Sequence, residues 1–556
     1  MPKLRRESES KESRLKSAFG SRARAFSLSI NRATHKESPG NNGARAPSAA
    51  VVAAELTTPA IEEGSPSFKE VYSLKEPYVH AAIATDPETL SSRYHVIEPA
   101  LIEEEKAALK KVKEIMFQVL EVNLSSLGTR EKAEEWLNEY FRKIIKGYKI
   151  EVGEDSIGKI HYYLARDLIH FGKIDPIMHD HMIEDISCDG PNIPIYIWHR
   201  KYESLPTNIV FEDETALDSF VGRLAYLAGK HVSIANPMLD ASLSDGSRIQ
   251  LTYAREVTRK GSTFTIRRFR ADPMTVTDLI EFNTLNPLMA AWFWLLIERK
   301  LNMLIGGGTA SGKTTTLNAL CAFIPTYDKV VTIEDTAELN MPLENWISAI
   351  ARTGFGSSQS SDITLFDLLK AAMRQRPDYV IVGEVRGTEA FTLFQAMATG
   401  HGGLSSIHCD SVSSAFSRLE SEPMNIPKTL LTILDVVVLQ SRVRLADHTT
   451  RRIRDVVEVV ELDPVSKEII TNEVFRWDPK SDTFEYSGKS VLLDRIIQEH
   501  GLTKEYMSKE LERRSSLLKY LASSGVRRVN EVGRVIRDYY ADPEKAAEKV
   551  RLRLSV

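Results

Sequence analysis

The stretch Leu304-Ile-Gly-Gly-Gly-Thr-Ala-Ser-Gly-Lys-Thr-Thr-Thr316 decides the fold of this chain. Its residues Gly307, Gly312, Lys313 and Thr314 satisfy the pattern G-x-x-x-x-G-K-[ST] of a phosphate-binding loop. Glycines let the backbone curl so that successive N–H groups face inward onto a polyphosphate. The apolar run at 303–305 predicts a strand before the loop. The residues after Gly312 predict a helix, whose N-terminus adds partial positive charge.

This loop predicts binding of ATP or GTP together with Mg²⁺. The lysine reaches the β- and γ-phosphates, and the hydroxyl of the following threonine coordinates the metal ion. A glycine-rich turn also matches the pattern by chance in some chains, so the prediction depends on the strand and helix around it. The predicted nucleotide contacts are Gly307, Gly308, Thr309, Ala310, Ser311, Gly312, Lys313, Thr314 and Thr315.

Size and composition predict a globular protein of two or three domains. The chain has 556 residues, of which 42% are hydrophobic and 27% are charged. Its longest uninterrupted apolar run, residues 288–297, is shorter than the roughly 20 residues that span a bilayer. We therefore expect a cytoplasmic protein whose membrane contact is peripheral. The cysteines at 188, 321 and 409 have no zinc-ribbon or disulfide spacing.

The net charge of −4 is unevenly distributed along the chain. Residues 1–50 hold 11 lysines and arginines against 4 aspartates and glutamates, so a basic tail precedes an acidic body. Residues 1–65 have little apolar periodicity and predict a disordered tail. Such a tail is typical either of an arm that meets acidic lipid or nucleic acid, or of a solvated leader.

The pattern of elements predicts the domain order. Helical periodicity followed by short strands predicts an α+β N-terminal domain over 66–271, and residues 272–285 are interpreted as a linker. From 286 to 490 strands and helices alternate as in a doubly wound α/β sheet, here the RecA-like P-loop NTPase fold. Residues 491–556 predict a C-terminal helical extension. Within the first domain, Asp245-Gly246 indicates a hairpin turn.

Three further sets of polar residues follow or flank strands of the predicted parallel sheet. Glu334, Asp335 and Glu338 follow one strand, Glu384 follows the next, and His401 and His408 bracket a third. Functional groups of doubly wound sheets lie at the carboxyl ends of strands. Each carboxylate or histidine alone is as easily a solvated loop charge or a core residue. Three sets beside one phosphate loop favour a hydrolytic site.

Together these four boxes resemble the secretion ATPases of type II and type IV systems, and more closely the archaeal branch that assembles type IV pili or the archaellum. The resemblance covers about residues 170–445 strongly. It implies that Lys313 and Thr314 bind phosphate and Mg²⁺, that Glu384 holds Mg²⁺, and that Glu334, or less readily Glu338, polarises the attacking water. It also implies that His401 and His408 sense the γ-phosphate.

The family further places N-terminal-domain arginines near the phosphates, at positions matching Arg248 and Arg267. Period-2 alternation puts Arg267 on the polar side of its strand, away from Phe264 and Ile266, which favours Arg267 as the arginine finger. Ordinary strand-surface ion pairs remain the alternative for both arginines. Because this chain lacks the four-cysteine insertion of bacterial members, we expect no structural metal.

The resemblance implies a homo-hexameric motor ATPase that hydrolyses ATP at the inner face of the cell membrane. Its expected partners are a polytopic platform protein and, through it, pilin-like subunits. The alternative is a RecA-like nucleic-acid translocase that uses the basic tail; the acidic body and the lack of an aromatic-basic strip argue against it. A scaffold that binds ATP without turnover is disfavoured by the intact Lys313, Thr314, Glu334 and Glu384.

Overall fold

The computed structural model describes residues 67–85, 91–119, 130–269, 272–352, 362–445, 449–546 and 548. The predicted disordered tail over 1–65 lies outside the described residues. Two nine-stranded sheets dominate the described part of the chain. The elements of the first half are β1 (Ser67–Lys75), β2 (Val79–Thr85), β3 (Ser92–Ile97), α1 (Glu103–Val119), α2 (Arg130–Tyr148), α3 (Glu154–Leu168), α4 (Asp175–His179), β4 (Ile183–Cys188), β5 (Pro194–His199), β6 (Glu203–Val210), α5 (Glu214–Leu227), β7 (Met238–Ser242), β8 (Arg248–Thr252) and β9 (Thr263–Arg267).

The first sheet has the strand order β1-β2-β3-β6-β5-β4-β9-β8-β7 and is antiparallel except where β3 meets β6. The predicted turn at Asp245-Gly246 joins β7 to β8, and Gly246 takes a φ of 86° there. Strands β1 to β3, which the sequence pattern did not indicate, extend this sheet. Helix α2 passes through the glycine at 147 and ends at Tyr148.

The second half contains the predicted alternation of strands and helices. Its elements are α6 (Val276–Glu281), α7 (Pro287–Glu298), β10 (Met303–Gly307), α8 (Lys313–Cys321), β11 (Val330–Glu334), β12 (Trp346–Ile350), α9 (Leu365–Met373), β13 (Tyr379–Val382), α10 (Glu389–Ala398), β14 (Gly402–Ile407), α11 (Val412–Glu420), α12 (Lys428–Leu431), β15 (Val436–Arg444), β16 (Thr449–Leu462), β17 (Ile469–Asp478), β18 (Thr483–Tyr486), α13 (Val491–Glu499), α14 (Lys504–Ser523) and α15 (Val529–Ala541).

The second sheet has the order β12-β11-β13-β14-β10-β15-β16-β17-β18, in which β12 to β15 are parallel and β15 to β18 form an antiparallel meander. Alternate residues of its strands enter two different cores. On β10, Met303 and Ile305 pack into one core, whereas Leu304 packs into the other. Because helices cover both faces, the sheet is doubly wound, and the predicted α/β fold class is confirmed.

The C-terminal helices pack against this second sheet. Arg514 on α14 makes ion pairs with Glu298 on α7 and with Glu510, and its guanidinium lies 4.8 Å from the centre of the Trp294 ring. Helix α6, inside the predicted linker, is also buried in the core of this half, with Val276 fully buried. The predicted linker is therefore packed into the second half of the chain from Val276 onward. The boundaries of the predicted domains stay predictions.

A buried carboxylate fixes where the meander turns into the C-terminal helices. Glu458 on β16 accepts hydrogen bonds from Ser490 Oγ (2.5 Å), Asn472 Nδ2 (2.8 Å) and the backbone N–H of Val491 (2.8 Å). We expect Glu458→Ala to lower the free energy of unfolding by about 2–4 kcal/mol, because those buried donors lose their acceptor. Thermal unfolding checks this against Glu461→Ala, an exposed neighbour on the same strand; equal midpoints would contradict it.

In the described ranges, no helix has both the length and the hydropathy that crossing a bilayer requires.

Candidate active site

The phosphate-binding loop connects β10 to α8, as predicted. Gly312 takes a φ of 94° and Ala310 a φ of 56°, so the backbone curls sharply before the helix begins. At Gly307 a side chain cannot fit, because a Cβ would lie 2.3 Å from the carbonyl oxygen of Gln440 on β15. The Ser311 hydroxyl closes the loop by donating to the Gly308 carbonyl at 2.9 Å. The loop therefore packs against the sheet on one side and is exposed to solvent on the other.

Lys313 lies over this loop with its side chain largely buried. Its Nζ is 3.1 Å from the Gly308 carbonyl oxygen and 3.3 Å from Nδ1 of His408. Burial lowers the pKa of Lys313, and the nearby Glu384 carboxylate opposes that shift. A phosphate bound beside Lys313 would oppose the effect of burial, because an anion stabilises the charged ammonium. Thr314 and Thr315 follow in the first turn of α8, half-buried beside it.

Glu384, two residues beyond β13, joins the lysine through an imidazole. Its Oε1 lies 2.9 Å from Nε2 of His408, and its Oε2 accepts a 2.5 Å hydrogen bond from Arg386. Oε1 is buried, and although His408 lies within ion-pair distance, no described residue donates to it with hydrogen-bonding geometry. Burial and the adjacent Lys313 lower the pKa of His408, which favours a neutral imidazole at pH 7.

Glu334 ends β11 and lies against the backbone that leads to Glu384. A Cβ on Gly383 would be 3.2 Å from Cγ of Glu334. Oε1 of Glu334 accepts from the N–H groups of Glu338 (2.9 Å) and Leu339 (3.0 Å), whereas its buried Oε2 has no partner among the described residues. Burial raises the pKa of Glu334 to about 7. A carboxylate with that pKa is suited to proton transfer at neutral pH.

The first sheet contributes two arginines to the segment after β11. Arg248 donates to Thr336 Oγ1 at 3.1 Å while Asp240 holds its other nitrogens at 3.0 and 2.5 Å. Arg267 lies 3.5 Å from Glu338, with 68% of its side chain exposed. The strand parity is as predicted: Arg267 is on the exposed side of β9, and Phe264 and Ile266 are fully buried.

His401 does not belong to this pocket. It precedes β14, and its Nδ1 lies 3.0 Å from the Ala396 carbonyl oxygen, near Asp378. His408 follows the same strand and contacts Lys313. Since β10 and β14 are parallel, His401 lies at the amino edge of the sheet, roughly 20 Å from the loop. Within one chain, the expectation that both histidines meet the phosphates is therefore corrected to His408 alone.

The whole pocket falls inside a region that defines a protein family. Residues 170–532 match the family model described as "Type II/IV secretion system protein", and every residue discussed above lies in that range. The chain belongs to this family. The membership confirms the predicted family and, with it, the prediction of an ATP hydrolase.

Relatives of this secretion-family chain occur in archaea and bacteria. It is 36% identical over 489 residues to the uncharacterized protein MJ0900 of Methanocaldococcus jannaschii, covering 86% of this chain and 84% of that protein. It is 33% identical over 255 residues to the probable conjugal transfer protein TrbB of Sinorhizobium fredii, covering 44% of this chain and 74% of that one. The solved pilus retraction motor PilT with bound ADP is 18% identical, with a TM-score of 0.36 over 60% of this chain and 88% of that chain, which is too remote to carry an argument.

Two pocket residues of this secretion-family protein received no role from the sequence. Arg386 donates a hydrogen bond to Glu384 and lies 3.9 Å from Asp335. Gln440 supports the loop from β15. Gln440 lies in the middle of β15, opposite Gly307 in the parallel pairing with β10, so a search limited to strand ends does not reach it.

The two histidines of this secretion-family site should differ in effect. We expect His408→Ala to reduce ATP turnover about tenfold or more, because the bridge between Lys313 and Glu384 is lost. His401→Ala is the matched control and should change turnover less than twofold, since His401 lies at the other edge of the sheet. Steady-state phosphate release measures both, and equal losses in the two variants would contradict this assignment.

Proposed function

We propose that this protein is a motor ATPase that hydrolyses ATP to power secretion or the assembly of type IV pilin-like filaments through a membrane platform protein. Family membership supports the secretion role. The observation that carries the proposal is the row Lys313, His408 and Glu384 beside the buried Glu334, because phosphoryl transfer to water needs a phosphate anchor, a metal ligand and a water-orienting group together.

In this proposal the loop residues and Lys313 hold the triphosphate, and Glu334 orients the attacking water and accepts its proton. Attack is direct, without a covalent intermediate. Thr314 and Glu384 fit Mg²⁺, since the metal prefers oxygen ligands and no described residue donates to the buried Oε1 of Glu384 with hydrogen-bonding geometry. The ion supplies neutralisation of the charge that develops on the phosphates.

Coupling to movement would pass through the arginines of the first sheet. Arg248 and Arg267 contact the segment that begins with Glu334. A triphosphate bound beside this segment would add negative charge and so attract both guanidinium groups. A third contact, the 2.6 Å ion pair between Arg442 and Glu203, also joins the two sheets. We propose that closure of the first sheet on the nucleotide, in a homo-hexamer at the inner face of the membrane, moves the platform protein.

The experiment compares stimulation of ATP turnover by two additives. Membranes that contain the platform protein should raise the rate severalfold, whereas single-stranded DNA should leave it unchanged. Stimulation by DNA with a steep salt dependence would instead support the nucleic-acid translocase. No turnover under either condition would contradict the motor proposal.

The metal role of Glu384 has its own test. We expect Glu384→Gln to bind ATP but to lower turnover about a hundredfold, because a neutral carboxamide is a poorer Mg²⁺ ligand than a carboxylate. The Mg²⁺ concentration for half-maximal rate should also rise. Glu420→Gln, on α11 outside the pocket, is the control, and an unchanged rate and Mg²⁺ dependence in Glu384→Gln would refute the role.

A further inference from the structure

The phosphate-binding loop has two unlike sides. The strand β10 that feeds it lies between β14 and β15. The β14 side carries His408, in contact with Lys313, and therefore marks the end of the pocket where the lysine meets the terminal phosphates. A nucleoside triphosphate is linear, so its nucleoside end must leave the loop elsewhere. On the other side of β10 in the same sheet lie β15 and β16.

On that side an arginine lies beside the loop. Arg451 on β16 pairs with Arg442 of β15, and its Cγ would be 3.8 Å from a Cβ placed on Gly312. Gly312 is the loop glycine directly before Lys313. In the described part of the chain, no hydrogen bond or ion pair holds the Arg451 guanidinium, whereas its neighbours Arg452 and Arg454 are both paired with aspartates. Among the described residues, Arg451 thus borders the loop with a guanidinium that makes no ion pair or hydrogen bond.

A second polar group lies under the loop on the same side. Gln440 is 2% exposed, and its Nε2 would be 3.1 Å from a Cβ on Gly312. Its Oε1 is buried without a hydrogen-bond partner among the described residues. Gln440 and Arg451 therefore both lie next to Gly312, and Gln440 is the nearer of the two. An alanine at 312 would press on Nε2 of Gln440, whereas its distance to Cγ of Arg451 would be an ordinary van der Waals contact.

We propose that Arg451 binds the α-phosphate of the nucleotide, with Gln440 positioning the loop beneath it. This inference rests on the proposed function and adds a contact at the nucleoside-proximal end of the same site. A guanidinium recognises phosphate oxygens in pairs, which an isolated lysine does not do. The contact exists in ADP and in ATP alike, because both carry the α-phosphate.

The test is equilibrium binding of ADP and of a non-hydrolysable ATP analogue with Mg²⁺, measured by calorimetry on the full chain. We expect Arg451→Ala to weaken both ligands by the same factor, about ten- to a hundredfold, which corresponds to the loss of a charge-assisted hydrogen bond. Arg451→Lys should recover part of the affinity. Arg444→Ala, an exposed arginine on the same hairpin, is the matched control and should bind as the wild type does.

The other outcomes are distinct. Unchanged affinity for both nucleotides in Arg451→Ala, with wild-type binding intact, overturns the inference and leaves the proposed function standing. A loss confined to the ATP analogue also overturns it, since that pattern places Arg451 at the γ-phosphate. If the wild-type protein itself binds neither nucleotide, the proposed function fails first.

Discussion

ATP turnover should fall about a hundred- to a thousandfold when Lys313 is replaced by alanine. The lysine lies over the loop with its Nζ 3.1 Å from the Gly308 carbonyl oxygen. From there Nζ can donate hydrogen bonds to a phosphate bound in the loop. Removing a preorganised donor of this kind costs about 10²–10³ in rate, and the lost charge weakens binding as well. Phosphate release at saturating ATP and nucleotide calorimetry measure the two effects.

The fold should survive this change. In the described residues, no carboxylate lies within ion-pair distance of Lys313, so alanine leaves no buried partner charge behind. Lys329→Ala is the control, because that lysine bonds the Gln375 carbonyl at the opposite edge of the sheet. A Lys313→Ala protein with wild-type unfolding and wild-type turnover would contradict the assignment of the pocket.

Replacing Glu334 by glutamine should abolish turnover nearly as completely while leaving ATP binding intact. Glutamine keeps the size and the backbone contacts but cannot accept the proton, and loss of a general base costs about 10²–10⁴ in rate. Single-turnover kinetics with bound ATP isolates the chemical step. Glu338→Gln tests the alternative base: Glu338 is half-exposed and lies 3.5 Å from Arg267, so we expect a much smaller loss.

The pH dependence gives a second readout of Glu334. Burial raises the pKa of this carboxyl from 4.5 to about 7, so the protonated, inactive form dominates below that value. The wild-type rate should therefore rise with pH through about 7 and then level off. In Glu334→Gln that rise should disappear. A wild-type rate that is flat from pH 6 to 8, or that falls there, would refute proton acceptance by Glu334.

Where the sequence analysis succeeded, local chemistry fixed the answer. The loop pattern predicted the strand, loop and helix that appear as β10, the phosphate-binding loop and α8. The rule that polar groups gather at carboxyl ends of parallel strands brought Glu334, Glu384 and His408 together correctly. Period-2 alternation placed Arg267 on the exposed side of β9.

The features that the sequence did not predict depend on which strands pair with each other, and the residues of one strand do not determine its partner. His401 and His408 flank one strand, and only strand direction against β10 shows that one of them lies at the far edge. Strands β1 to β3 pair with one another in sequence order, but their attachment to the sheet depends on a partner distant in sequence, in the pairing of Tyr94 with Thr207. Gln440 and Arg451 meet the loop through strands more than a hundred residues after it, so no spacing in the sequence indicated them.

The most direct measurement is the position of the nucleotide in a structure of this protein with Mg²⁺ and a non-hydrolysable ATP analogue. We expect the β- and γ-phosphates within hydrogen-bond distance of Lys313, Mg²⁺ held by Thr314 and Glu384, and a water molecule next to Glu334. A nucleotide bound elsewhere, or bound in the loop with Glu334 and Glu384 turned away from its γ-phosphate, would contradict this expectation.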